Sequence, residues 1–111
     1  MILKSAVEQA KQKYFKDAVT DADYMNAVMT YMKENLHVMR MAIGGVQTEL
    51  AAITNKHKDR TDDESVIAWA NDIKHLFARK KCIKNQNFNP VEYLAVNYIA
   101  GHHGSDGWAK L

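Results

Sequence analysis

Residues 21–57 read DADYMNAVMTYMKENLHVMRMAIGGVQTELAAITNKH, and this stretch decides the fold class. Met25, Met29, Met32, Leu36, Met39, Ile43, Val46, Leu50 and Ile53 recur at spacings of 4, 3, 4, 3, 4, 3, 4 and 3. An apolar residue about every 3.5 positions is the mark of a helix with one continuous apolar seam. Met29, Leu36, Ile43 and Leu50 take the a positions of the heptad, and Met25, Met32, Met39, Val46 and Ile53 the d positions. Tyr24, Ala27, Tyr31, Val38 and Met41 form a shorter stripe on another side. A helix that is apolar on two sides needs partners on both, so it belongs at the centre of a bundle or in a dimer interface. Immediately before it, Thr20 offers a capping hydroxyl, and Asp21 and Asp23 offer carboxylates to the positive helix end.

Gly44-Gly45 falls inside the seam and admits two readings. The pair breaks the helix and lets the chain turn back, or the helix continues through it at about 1 kcal/mol per glycine relative to alanine. The apolar phase is the same on both sides, which favours continuity. A continuous helix from Asp21 to His57 is about 55 Å long at 1.5 Å per residue. A compact domain of this size is only about 34 Å across. The helix then protrudes, and an apolar seam on a protruding helix is unstable in a monomer. Continuity therefore predicts a homodimer or a partner laid along Met25, Met29, Met32, Leu36, Met39, Ile43 and Val46.

Outward from this stretch the signals stay helical, and the expected fold is all-α. Four helices are expected, at about 2–18, 21–57, 62–83 and 90–100. In the first, Leu3, Ala6, Val7, Ala10, Tyr14 and Ala18 share one face. Thr54 to Arg60 reads as a polar linker. Thr61 and Glu64 match a capping box for the next helix, whose apolar face is Val66, Trp69, Ala70, Ile73, Leu76 and Phe77. Asn89 caps the last helix, Pro90 opens it and Gly101 ends it. Its apolar face is Val91, Leu94, Ala95, Tyr98 and Ile99. Residues 1–101 are read as one helical domain, and 102–111 as an irregular tail.

Composition narrows the function classes. The 111 residues are 47% hydrophobic and 25% charged, too apolar for a disordered segment. Fifteen basic against thirteen acidic residues leave +2, which does not by itself imply nucleic acid. A single cysteine, Cys82, forms no internal disulfide and fits a reducing compartment. Neither a signal-peptide pattern nor an apolar run of membrane-spanning length is present, so a cytoplasmic protein without membrane association is expected.

Three groups of residues invite a functional reading. Lys74, Arg79, Lys80, Lys81 and Lys84 form a basic run with no acid between Lys74 and Asn89. Clustered cations of this kind neutralise phosphates, although a cationic helix end also complements the helix dipole. His102 and His103, with Asp106 nearby, are candidate metal ligands that His75 and Cys82 could complete. The spacing matches no specific metal motif, and the alternative is a polar tail after a helix stop. Five of the six methionines lie within residues 25–41, and methionine suits surfaces that accept a partner.

No phosphate-cradling loop, carboxylate pair or activated nucleophile emerges. No catalytic residue, cofactor or metal is assigned. The expected function is a non-catalytic helical interaction protein of the small regulator or inhibitor type. It dimerises through its long helix and binds a macromolecular partner. A nucleic-acid-binding module using the basic run is the alternative, and a small metal-dependent hydrolase is the third class.

Overall fold

A computed structural model describes residues 2–42, 44–57, 60–79 and 89–103. Five helices follow one another: α1 (Ile2–Tyr14), α2 (Asp21–Ala42), α3 (Gly44–His57), α4 (Asp63–Arg79) and α5 (Pro90–Gly101). No strand occurs among the described residues, so the all-α reading stands. The single long helix does not. α2 ends at Ala42 and α3 starts at Gly44. The longest dimension of the molecule is 37 Å, too short for a straight helix of about 55 Å. Both glycines belong to α3, and Ile43, between the two helices, lies outside the described residues.

The ends of the other helices follow local chemistry. α1 stops at Tyr14 rather than Ala18, because the chain turns there to bury Phe15. Thr20 and Asp23 form a reciprocal cap on α2. The Thr20 hydroxyl accepts from the Asp23 N–H at 3.2 Å, and the Asp23 carboxylate accepts from the Thr20 N–H at 3.0 Å. α3 runs on through His57, so the expected linker from Thr54 is in large part helix. α4 is capped by Asp62, not Thr61: its carboxylate accepts from the Ser65 N–H at 3.0 Å. Asn89 caps α5 as its sequence predicts, accepting from the Val91 and Glu92 N–H groups at 3.0 and 3.2 Å.

The core reassigns the centre of the molecule. Tyr93, Leu94, Ala95, Val96, Tyr98 and Ile99 of α5 are buried, which is burial on nearly all sides of a twelve-residue helix. α5 packs against α1, α4 and α2. Leu3, Val7 and Ala10 of α1 and the whole expected face of α4 close around it. The central helix is therefore α5, and α2 lies at the side. Between Val91 and Ala100 only Glu92 and Asn97 are strongly polar, and both are engaged. Lys13 lies 3.7 Å from Glu92, and the Asn97 amide donates to the Tyr93 carbonyl at 2.8 Å.

Candidate interaction surface

α2 settles on the core by its shorter stripe. Tyr31 is fully buried, and its ring meets Tyr14 edge-on at 5.1 Å. Tyr24 stacks on Phe15 at 5.4 Å, and Ala27 and Val28 are partly buried beside them. Burial pushes the Tyr31 hydroxyl far above the ordinary tyrosine range, so it stays neutral. Holding this stripe inward turns the heptad seam outward. Met25 is 66% exposed and Met29 47%. Met32 is partly buried. Val19, just before the helix, is 83% exposed. The seam returns to the core on α3, where Leu50 is buried and Ile53 partly so. The side chains of Leu36, Met39 and Val46, and all of Ile43, lie outside the described residues.

Of the basic run, Lys74 and Arg79 are described, and Arg79 meets an acid, as does Lys56 on α3. Arg79 pairs with Glu49 at 2.7 Å, and Lys56 lies 3.9 Å from Asp72. Seven residues forward on α3 match seven back on α4, so the two helices run antiparallel with an ion pair at each end. Between the pairs lies a groove of about 450 Å³ floored by Ala52, Ile53 and Leu76, with His75 on its edge. Lys74 is exposed. Lys80, Lys81 and Lys84 lie outside the described residues, as does Cys82.

The adjacent histidines diverge. The His102 Nδ1 lies 3.0 Å from the Tyr98 carbonyl, and its ring stacks on Tyr98 at 4.3 Å. His103 reaches the other way, 3.2 Å from Asp21 and stacked on Tyr24 at 4.9 Å. Asp106 lies outside the described residues. Among the described residues, no group of three or more His, Cys, Asp or Glu could hold a metal ion. Nor is any described helix long and apolar enough to cross a membrane.

One polar cluster escapes the sequence reading. His57 is buried at the end of α3, with its Nε2 3.0 Å from Asp72 and its ring stacked on Trp69. A lone histidine in a charged stretch carries no periodicity signal. Only knowing that α3 and α4 pair would have joined residues 57, 69 and 72. No protein-family model matches the chain, and no curated protein or solved structure is found to be similar to it. The surface must be argued on its own chemistry.

Proposed function

We propose that this chain is a non-catalytic helical interaction protein that self-associates through the outer face of α2 and binds a macromolecular partner. The observation that carries this reading is the exposure of Met25 and Met29 on a helix whose other stripe is committed to the core. Isolated exposed apolar residues are ordinary, but two large ones a helical turn apart, with Val19 before them, begin a patch. Methionine adds adaptability, since its unbranched side chain fits partners of varied shape. The nucleic-acid reading ranks below this one, because Arg79 of its basic run already faces the Glu49 carboxylate.

Size-exclusion chromatography with light scattering over a wide concentration range tests the self-association. The expected result is a mass approaching twice 12.6 kDa at high concentration. Met25→Glu with Met29→Glu is expected to hold the chain as a folded monomer. A wild-type monomer at every concentration overturns the reading.

A further inference from the structure

A second feature lies away from the α2 face, where the end of α3, the middle of α4 and the end of α5 enclose a cleft of about 320 Å³. Thr54, Asn55, Trp69, Asn97, Tyr98 and His102 line it. That volume is at the lower end for small-molecule sites, enough for one or two rings. Two parts of its lining are flat. Trp69 is one, its indole stacked with His57 at 6.0 Å and 15°. The other is the Tyr98–His102 stack, with centroids 4.3 Å apart.

The polar groups of the lining are of both kinds, donors and acceptors. Trp69 is 3% exposed, and its indole N–H has no hydrogen-bond partner among the described residues. An unpaired buried donor costs about 1–3 kcal/mol, a cost that a small shift opening it to an acceptor in the cleft would relieve. The Asn97 amide nitrogen is used on the Tyr93 carbonyl, leaving its oxygen to accept. A carbonyl can only accept, so the contact with Tyr98 places a proton on His102 Nδ1 and leaves Nε2 a lone pair in the neutral ring. Thr54 and Asn55 donate and accept. Among the described residues, no acid, lysine or arginine lines the cleft, and an ion entering it would lose its hydration without a counter-charge from them.

From this arrangement we infer that the α3–α4–α5 cleft binds an uncharged planar heteroaromatic molecule of nucleobase size, carrying both donor and acceptor groups. Gly101 supplies a way to test it. A Cβ added there meets nothing within 4 Å, and Gly101 is itself part of the lining. Gly101→Leu therefore adds a bulky apolar side chain to the lining without a clash at its Cβ.

The experiment follows the indole N–H resonance of Trp69 in the full chain carrying Trp108→Phe, which removes the other tryptophan. Nicotinamide and cytosine are the neutral probes, and benzoate is the charged planar control. The expected result is a saturable shift with a neutral probe, lost in Gly101→Leu at unchanged thermal stability. Benzoate is expected to bind at least tenfold more weakly. The inference is overturned by no saturable shift up to about 10 mM, where even a site with a Kd near 1 mM is nine-tenths filled. It is equally overturned if Gly101→Leu binds like its parent, or if benzoate binds as well as the neutral probes. None of these readouts depends on self-association through α2.

Discussion

α2 and α5 are opposite solutions to the same task. α2 is 22 residues long and carries the most regular apolar pattern in the chain, yet Met25 and Met29 stand in solvent. α5 has 12 residues and no comparable stripe, yet it is the helix on which the others rest. The difference lies in what each pattern encodes. A stripe means that one face differs from another, and it describes a helix at a boundary. A helix with almost no polar residues shows no contrast between faces, and that absence of contrast marks the centre. Periodicity finds the side of a core; uniform apolarity finds its middle.

This contrast is most easily broken by truncating side chains on the two helices. Leu94 of α5 is fully buried, so Leu94→Ala is expected to cost about 2–5 kcal/mol in chemical denaturation. Met25→Ala and Met29→Ala, measured on dilute protein, are expected to stay within about 0.5 kcal/mol. Equal losses on the two helices would return α2 to the centre. A smaller effect is expected at the α5 cap: Asn89→Ala removes the acceptor of two N–H groups and costs about 1 kcal/mol.

The caps of α2 and α4 sharpen the comparison through pH. Hydrogen bonds from the Thr20 and Val19 N–H groups hold the Asp23 carboxyl below its usual range, and Ser65 does the same for Asp62. The folded pKa lies below the unfolded one, so the unfolded chain takes up the proton first as pH falls. Stability from these groups is complete above pH about 4 and is lost as pH drops through the folded value. Unfolding midpoints across this window are expected to vary less in Asp23→Asn with Asp62→Asn than in the parent. The smallest effect belongs to Tyr31→Phe. The Tyr31 hydroxyl is buried with no hydrogen-bond partner among the described residues, so its removal is expected to leave stability unchanged or raised. A loss of more than about 1 kcal/mol would reveal a partner for that hydroxyl.

Much of the fold is legible in the residues. The faces of α1 and α4, the Asn89 cap, Pro90 and the Gly101 stop all follow from short-range rules. The shared phase of the seam on both sides of Gly44-Gly45 misleads, because α2 turns Met25 and Met29 outward while α3 turns Leu50 inward. Which stripe of α2 turns inward is not a local question either. Tyr24 and Tyr31 win because Phe15 and Tyr14 wait for them, and that contact depends on how α1 lies. The site is less legible still. Arg79 reads as part of a cationic run until the antiparallel pairing of α3 and α4 sets Glu49 against it.

The central place of α5 bears on how the chain is made. α1 rests chiefly on α5, and Tyr14 meets Glu92 across 78 positions. At synthesis rates of about 5–20 residues per second, that distance takes a ribosome roughly 4–16 s. Until α5 has been made, Leu3, Val7 and Ala10 lack the helix that covers them. The nascent chain therefore cannot complete its core domain-end first. It must wait, apolar side open, for a helix translated late, and this is the period in which it is most exposed to chaperones and to aggregation.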